Sequence, residues 1–410
     1  MMRALTLDEV DSSLISPTFY ADPYPIYRQL RAKDPVHWSD TLGGWLLTRY
    51  DDVLDTLRDP ARFSSQGRML AALNHLPPRE RAHLRPLAEH FSVGLISADP
   101  PDHRRLRTLV TAAFTPRVVE QMRPRVQTLV DEALDAARER GDMDLIRDLA
   151  YPLPAIVIAE MLGAPAGDRD RFKVWSDGIL AFQGTGRVTP QILDRAQRDL
   201  LEMRAFLGEL LTHRRRVPGE DLLGRLVAAE AAGDKLSEAE LLTLCVNLLT
   251  AGHETTTNLI GNGLLTLLRH PDQMRRLAED PGLMPTAVEE MLRFESPLQR
   301  NPRRVVEDVE VGGKVLRRGD FVLQILGSAN RDPARFAEPE RFDIARQPNR
   351  HMAFGFGIHF CVGAPLARLE APIAIGTVLR RLPRLELAAD RVAWQEHGLL
   401  RALTALPVTF

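Results

Sequence analysis

Two cysteines are the residues of this 410-residue chain best suited to bind a metal or act as a nucleophile. Cys245 lies in an apolar stretch, where a lone thiol is by default a small buried side chain. Cys361 lies in the segment 354–363, FGFGIHFCVG, whose three glycines let the backbone adopt positive φ and approach a flat ligand closely. A helix is predicted directly after this loop, and its N–H groups would stabilise a thiolate. This arrangement suits a single axial ligand to iron.

The residue spacing does not match three other kinds of functional site: a dinucleotide-binding loop, a zinc-protease motif and a cysteine nucleophile with a histidine base. The GxG within 354–363 lacks the third glycine of a dinucleotide-binding fingerprint. The His-Glu pair at 253–254 is followed by Thr257 where a zinc protease needs its second His. His359 and Cys361 are two residues apart, roughly 6.6 Å in an extended backbone with parallel side chains, so we do not expect a nucleophile–base hydrogen bond between them.

A long helix is the main element predicted to position this chemistry. Ser237 and Glu240 form a capping box, and helical apolar spacing continues to about His270, roughly 34 residues or 50 Å. Its centre at 251–257, AGHETTT, contains glycine and three threonines, which are poor helix formers. A core helix weakened at its middle indicates that something other than stability is served there.

The remaining pattern predicts a mainly α protein with a minor β-sheet region and one domain over 1–410. Segments 36–38 and 44–48 flank a turn and indicate a hairpin. From about Asp99 to Arg293 the apolar spacing is helical almost throughout. The later elements are a short helix at 287–294, strands at 305–311, 314–316 and 321–325, an irregular stretch to about Arg350, a final long helix at 364–382 and a strand-like tail at 399–410.

Composition excludes several classes of protein. Hydrophobic residues make up 44% and charged residues 26%, which is the globular range rather than the disordered one. The net charge of −2 does not indicate a nucleic-acid-binding protein, which would usually be basic. Two cysteines cannot supply a disulfide framework or a four-thiolate zinc site. The N-terminus has acids where a signal peptide needs apolar residues, and no run approaches the roughly 18 apolar residues of a membrane span. We expect a cytoplasmic protein without a membrane or nucleic-acid partner.

The cysteine loop carries a family resemblance. Segment 354–363 meets the pattern F-G-x-G-x-H-x-C-x-G at every fixed position and is followed by ARLE at 367–370. With this motif the chain resembles the cytochrome P450 family of haem-thiolate monooxygenases over nearly its whole length. The resemblance implies the cytochrome P450 fold, with haem between the long central helix and the Cys loop and last long helix. It also implies haem b as cofactor, Cys361 as the axial thiolate and metal ligand, and Phe354 and Gly355 at the haem.

Glu290 and Arg293 match the Glu-x-x-Arg motif of this family. Taken alone, such an i,i+3 pair is usually a solvated surface bridge that contributes little stability. The resemblance instead implies a buried ion pair that supports the scaffold under the haem.

Haem carries two propionates, which need cationic or hydrogen-bonding partners once they are buried. His103 and Arg107 lie at i and i+4, on one face of a helix. The resemblance implies that these two residues bind the propionates together with Arg303 and His359.

The same resemblance implies a catalytic function for the weak centre of the long helix. Gly252 is expected to leave room for dioxygen beside the iron. Thr255 is expected to bond back to the carbonyl of Ala251 and open the helix locally, and Glu254 to act as the acid of a proton relay. Without the Cys loop, a polar stripe on a core helix would explain these residues equally well.

The substrate pocket is expected above the haem and should be mostly apolar, which predicts a hydrophobic substrate. Arg68 or Arg300 could anchor a carboxylate, although each is first interpreted as a surface or structural arginine. By resemblance the pocket is formed by 68–70, 92–96, 179–182, 248–255, 298–301 and 399–400, with Leu95, Leu248, Ala251, Leu298, Leu399 and Leu400 as lining residues.

The implied reaction is RH + O₂ + 2e⁻ + 2H⁺ giving ROH + H₂O. No electron-transfer module follows the haem segment, so we expect electrons from a separate ferredoxin and ferredoxin reductase. We also expect a monomer. Alternatives are desaturation, C–C coupling or peroxygenation in the same fold, or a haem sensor without turnover. The candidate basic docking face for an acidic ferredoxin comprises Arg104, Arg105, Arg350 and Arg368.

Overall fold

Helices account for most of the chain that the structure describes. The computed structural model describes residues 5–68, 73, 76–184, 189–231, 236–388 and 391–410. The helices are Leu7–Ser13 (α1), Pro17–Ala21 (α2), Tyr24–Lys33 (α3), Tyr50–Arg58 (α4), Pro78–His83 (α5), Arg85–Ser92 (α6), Asp102–Ala113 (α7), Pro116–Gln121 (α8), Arg123–Arg140 (α9), Pro152–Met161 (α10), Arg169–Gly184 (α11), Pro190–Arg216 (α12), Leu222–Ala231 (α13), Glu238–Arg269 (α14), Pro271–Glu279 (α15), Met284–Phe294 (α16), Leu326–Ala329 (α17) and Ala364–Arg381 (α18).

The strands of the described chain form small sheets beside these helices. They are Val36–Ser39 (β1), Gly44–Leu47 (β2), Phe63–Ser64 (β3), Met143–Asp144 (β4), Asn301–Val305 (β5), Val309–Val311 (β6), Lys314–Leu316 (β7), Phe321–Gln324 (β8), Glu386–Leu387 (β9) and Pro407–Thr409 (β10). One sheet has the order β1-β2-β8-β5-β3, a second β4-β10-β9, and β6 pairs with β7. A π-helical turn occupies Ile146–Ala150, and 3₁₀ turns occupy Ala166–Asp168, Pro281–Leu283 and Gly357–His359.

The long helix α14 is confirmed, with the predicted cap. Ser237 N–H donates to the Glu240 carboxylate at 2.8 Å, and Glu240 N–H donates to the Ser237 hydroxyl at 3.2 Å. These two bonds satisfy donors that the first turn of a helix leaves free. Its 32 residues extend about 48 Å, and the helix ends before Pro271, whose ring fits the first turn of α15.

The main hydrophobic core surrounds α14. Leu259 and Leu264 are buried there against side chains such as Val288 of α16 and Ile375 of α18. Helices α10 and α12 pack along other faces of α14. At the weak centre of α14, His253 and Glu254 are buried, whereas Ala251 is exposed.

The predicted hairpin forms β1 and β2, paired from Val36 with Leu47 to Ser39 with Gly44. The predicted strand 305–311 is instead divided between β5 and β6. The Asp308 carboxylate between them accepts the Arg318 N–H at 2.9 Å, which turns the chain away from β5. In the tail, only Pro407–Thr409 belongs to a sheet, while Leu400 makes an isolated bridge with Leu298.

Within the described ranges, no helix combines the length and apolarity that crossing a lipid bilayer requires.

Candidate active site

A cavity of about 350 Å³ lies between the centre of α14 and the loop 354–363. Most of its wall is apolar. The predicted cofactor and catalytic residues that line it are Arg107, Gly252, Glu254, Thr255, Arg303, Phe354, Gly355, His359 and Cys361. The predicted pocket residues that line it are Leu95, Leu248, Ala251, Leu298, Leu399 and Leu400.

The loop before Cys361 is shaped by its glycines. Gly355 and Gly357 have φ values of 71° and 70°, where a side chain is strained. A Cβ on Gly357 would stand 2.6 Å from the carbonyl oxygen of Leu57, so the glycine lets the loop lie against α4. Cys361 N–H donates to the Phe354 carbonyl at 3.0 Å, which closes the loop.

The Cys361 thiol stands just before the N-terminus of α18. Burial raises its pKa, while the N–H groups of Gly363 and Ala364 and the charges of Arg107 and Arg368 act in the opposite direction. Burial prevails, so the free group is favoured as a neutral thiol. A bound metal cation would favour the thiolate, and the two N–H groups and the two arginine charges would act in the same direction.

Thr255 makes the predicted backbone hydrogen bond. Its hydroxyl donates to the Ala251 carbonyl at 2.9 Å. The predicted local opening of the helix is wrong, because α14 continues unbroken through 251–257. A threonine hydroxyl can share the i−4 carbonyl with the helical N–H, so the bond does not require the helix to open.

Glu254 is buried beside the same cavity. Its Oε1 lies 3.2 Å from Nε2 of His253, and the His253 Nδ1–H donates to the Leu249 carbonyl at 2.6 Å. Burial raises the pKa of Glu254, but His253 and the more distant Lys173 outweigh burial and the pKa is lowered. The lowered pKa favours the carboxylate form of Glu254 at neutral pH.

Gly252 lines the cavity, but its geometry points first to helix packing. A Cβ built there would stand 3.1 Å from Cγ1 of Ile158 in α10, closer than side chains normally approach. The glycine thus allows α10 to lie close against α14. A larger residue would displace Ile158, itself a lining residue of the cavity.

Arginines gather at one part of the cavity wall. Arg303 is 3% exposed, and its Nη1 donates to Asn301 Oδ1 at 3.0 Å. Arg68, interpreted from the sequence as a surface or structural residue, lines the cavity and donates to the same oxygen at 2.8 Å. Burial and then the charge of Arg68 lower the pKa of Arg303 to about 9, and burial lowers that of Arg68 to about 10.

Two histidines complete this group, which we call the cationic cluster. The rings of His103 and His359 lie 4.3 Å apart, centroid to centroid. Burial and then the neighbouring arginine charges lower the pKa of His359 to about 2, so its ring is neutral, and Nε2 of His103 is buried without a hydrogen-bond partner in the described chain. The cationic cluster comprises Arg68, His103, Arg107, Arg303 and His359.

The cavity fits the cofactor that the loop motif implies. Among the described residues, Asp99 is the one carboxylate that acts on Arg68 and Arg303, while the only side chain that raises the pKa of Arg107 is Cys361. Buried positive charge therefore remains for an anion to neutralise. The Cys361 thiol opens onto the same cavity, and the rest of the wall is mainly apolar. A planar apolar ring with a thiolate-binding metal and two carboxylates, which is haem, meets all three conditions.

Glu290 and Arg293 form an ion pair that is fully buried. Arg293 donates Nε to one Glu290 oxygen at 2.7 Å and Nη2 to the other at 2.8 Å. Together the pair holds the irregular stretch that leads into the Cys loop. Its further partners are the carbonyls of Asn330, Pro339 and Arg341, the N–H of Asp343 and the side chains of Arg346 and Asn349.

Sequence reasoning missed part of the cavity wall. Val110 of α7, Phe114 directly after α7 and Ile158 of α10 are lining residues that it did not name. Val110 and Phe114 follow Arg107 by three and seven residues, so helical spacing could have found them. Ile158 gave no such signal, because nearly every residue of α10 is apolar and buried. The predicted pocket positions 69 and 70 lie outside the described residues.

The predicted basic docking face is partly neutralised. Arg368 donates two hydrogen bonds to Glu289, at 2.7 and 2.8 Å, and Arg105 pairs with Glu240. These partners are distant in sequence, so the compensation could not be predicted. The other two arginines of that face, Arg104 and Arg350, are exposed.

Comparison with known proteins agrees with this site. The sequence matches the Cytochrome P450 family over residues 71–281 and 282–396. It is 43% identical to cytochrome P450 107B1 of Saccharopolyspora erythraea over 98% of this chain and 99% of that protein. It is also 43% identical to the cytochrome P450 monooxygenase PikC of Streptomyces venezuelae, over 97% and 94%. The crystal structure of the myxobacterial cytochrome P450 CYP267B1 in complex with myristic acid has 43% identity and a TM-score of 0.87, covering 97% of this chain and 98% of that chain.

The chain therefore belongs to the cytochrome P450 family. It is an enzyme of the monooxygenase class, and the predicted mainly α cytochrome P450 fold is confirmed. Membership of the family implies a haem-thiolate cofactor, in agreement with the fit of the cavity.

Proposed function

We propose that this protein transfers one oxygen atom from O₂ to a hydrophobic organic substrate, with electrons from a ferredoxin and its reductase. One observation carries the proposal: Cys361, the Glu254–Thr255 pair and four members of the cationic cluster line one mainly apolar cavity, and the fifth member, His103, lies behind His359.

In this proposal haem b is held at two places. Cys361 would supply the thiolate ligand, and the cationic cluster would bind the propionates through charge-assisted hydrogen bonds. Phe354 and Gly355, which line the cavity, would lie beside the ring. When bound, the haem supplies the redox centre at which O₂ is reduced and one oxygen atom is transferred.

Thr255 and Glu254 are assigned to proton delivery. The Thr255 hydroxyl donates to a helix carbonyl, and it can still accept a hydrogen bond from a water or a protonated carboxyl group. Glu254, a carboxylate next to His253, can take up a proton on the inner side of α14 and pass it to the hydroxyl. Such a relay favours substrate oxidation over release of peroxide.

The substrate is assigned to the apolar part of the cavity. Leu95, Leu248, Leu298 and Leu399 line it, and burying apolar surface is the main source of affinity in such a site. The related CYP267B1, crystallised with myristic acid, supports a hydrophobic ligand. For the redox partner, the support is the exposure of two arginines of the docking face.

The deciding experiment is the optical spectrum of the reduced protein with carbon monoxide. A haem-thiolate bond should displace the absorption maximum to the red, and Cys361→Ser should abolish this displaced band. Cys245→Ala is the matched control, because this thiol is buried in α14 with no assigned role, and the variant should keep the band. A wild-type spectrum without the displacement, or a Cys361→Ser variant with unchanged haem and turnover, would contradict the proposal.

A further inference from the structure

Arg300 is a charged residue of the cavity wall that neither haem binding nor proton delivery uses. It is only partly exposed and lines the cavity. It lies directly after Gln299, whose N–H donates to the Leu399 carbonyl at 2.8 Å. No residue of the described ranges forms a hydrogen bond or an ion pair with its guanidinium group.

The charge of Arg300 is not compensated by its surroundings. Burial lowers its pKa, and the groups that act on it are the phenols of Tyr20 and Tyr27 and the ring of His397. Burial raises the pKa of both phenols and lowers that of His397 to about 4, so all three are neutral. An enclosed cation without an anionic partner lowers stability unless a ligand neutralises it.

Other enclosed arginines show how this chain treats charge that only supports the fold. Arg293, Arg331 and Arg401 each meet a glutamate, at 2.7, 2.8 and 2.7 Å respectively. Arg300 differs from them because it lines the cavity and has no carboxylate partner among the described residues.

Arg300 is also distinct from the cationic cluster. Arg68 and Arg303 act on each other and on Asp99, whereas Arg300 acts on His397, which in turn acts on Glu254. Arg300 therefore belongs to the part of the wall near Leu298, Leu399 and the centre of α14, where the substrate is assigned.

We propose that Arg300 anchors the carboxylate of the substrate, so that the substrate class is monocarboxylic acids with a long apolar body. A guanidinium group binds a carboxylate through two parallel hydrogen bonds. The apolar wall beside it, formed by Leu248, Leu298 and Leu399, is suited to the alkyl chain. This inference rests on the proposed function, because it names the substrate of the same site.

The test compares ligands that differ only in their head group. Octanoic, dodecanoic and hexadecanoic acid and the corresponding alcohols are titrated into the ferric holoenzyme, with binding measured by calorimetry and by the shift of the haem absorption band. The wild type should bind at least one acid more tightly than its alcohol. Arg300→Gln should lower the affinity for that acid about 10- to 100-fold, which is the usual effect of removing a hydrogen bond to a charged group. The affinity for the alcohol should not change.

Two further variants define the contact. Arg300→Lys should restore part of the affinity for the acid, because it keeps the charge and loses the paired hydrogen bonds. Arg304→Gln is the matched control, because this exposed arginine lies in β5 outside the cavity wall. This variant should bind both the acid and the alcohol with the affinity of the wild type.

Three outcomes would overturn the anchor. The first is a wild type that binds no acid more tightly than its alcohol, and the second is an Arg300→Gln variant that binds the acid normally. The third is an equal loss of acid and alcohol in Arg300→Gln, which indicates packing rather than a head-group contact. In all three cases a retained red-displaced carbon monoxide band leaves the proposed function intact, whereas loss of that band in the wild type refutes the function itself.

Discussion

Two buried charged regions of this molecule are built in opposite ways. Around Glu290 and Arg293, the guanidinium and carboxylate groups meet each other and a set of backbone and side-chain partners. In the cationic cluster, Arg68 and Arg303 share one carboxylate, Asp99, and no described carboxylate acts on Arg107. Buried nitrogens of Arg68 and His103 have no hydrogen-bond partner in the described chain.

This difference separates charge that holds the fold from charge that is arranged for a ligand. A fully paired group is costly to disturb, because removing one partner leaves the other charge buried and alone. An unpaired group already carries that penalty, and an anionic ligand relieves it. The two regions should therefore respond differently to the same kind of substitution.

Glu290→Gln should have the largest effect on stability. The variant leaves Arg293 buried without a counter-charge, so the free energy of unfolding should fall by about 3–5 kcal/mol. Urea unfolding of the holoenzyme, followed by circular dichroism, measures the change. Glu120→Gln is a matched control, because Glu120 and Arg123 have the same i,i+3 spacing on the exposed surface, and it should leave the free energy of unfolding nearly unchanged. Equal losses in both variants would remove the contrast between the regions.

Arg303→Gln should reduce haem retention while the protein stays folded. Losing one charge-assisted contact to a propionate is worth roughly 1.5–3 kcal/mol, so haem should leave about 10- to 100-fold faster. Transfer of haem to an excess of apomyoglobin measures the rate, and circular dichroism checks the fold. Arg304→Gln is the control and should lose haem at the rate of the wild type. If Arg303→Gln unfolds as Glu290→Gln does, the cationic cluster supports the fold rather than the ligand.

Thr255→Ala should uncouple electron use from product formation. A positioned acid–base group contributes at least about 100-fold to its step, so product per NADH should fall and hydrogen peroxide should rise, with NADH use retained. Thr266→Ala is the control, because its hydroxyl makes the same type of bond, to the Asn262 carbonyl at 2.7 Å, within the core. Tight coupling in Thr255→Ala would remove this residue from proton delivery.

Glu289→Gln should change the acid dependence of stability by a smaller amount. Burial raises the pKa of Glu289, but hydrogen bonds from Arg368 and His351 outweigh it and lower the pKa from 4.5 to about 2. Because the folded value lies below the unfolded one, the stabilisation is complete above pH 4.5 and is lost as the pH falls towards 2. The variant should lose about 1 kcal/mol at neutral pH and show a flatter decline in acid. Urea midpoints at neutral pH and near pH 4 test this, and a decline as steep as that of the wild type would contradict it.

Much of the site could be predicted because its signals are local. Ser237 and Glu240 mark the start of α14, and His103 and Arg107 share a face of α7. The bond from Thr255 to Ala251 is set by one turn of helix. Each of these relations spans only three or four residues, so it depends on helical geometry rather than on the rest of the fold.

Other features depend on partners far away in the chain. Arg68 reaches Asn301, 233 residues later, and Arg368 pairs with Glu289, 79 residues earlier. The sequence contains these residues but does not state which of them meet. The sequence alone indicates a surface or structural role for Arg68 and a docking role for Arg368, because only the folded chain brings Asn301 and Glu289 to them.

By itself the sequence determined the Cys loop, the long helix and the class of chemistry, because short motifs specify backbone geometry within a few residues. Only the tertiary structure decided which arginines are neutralised and which are left facing the cavity. The physical reason is that charge compensation depends on distance in space, and for Arg300 and the cationic cluster the packing of remote elements sets that distance.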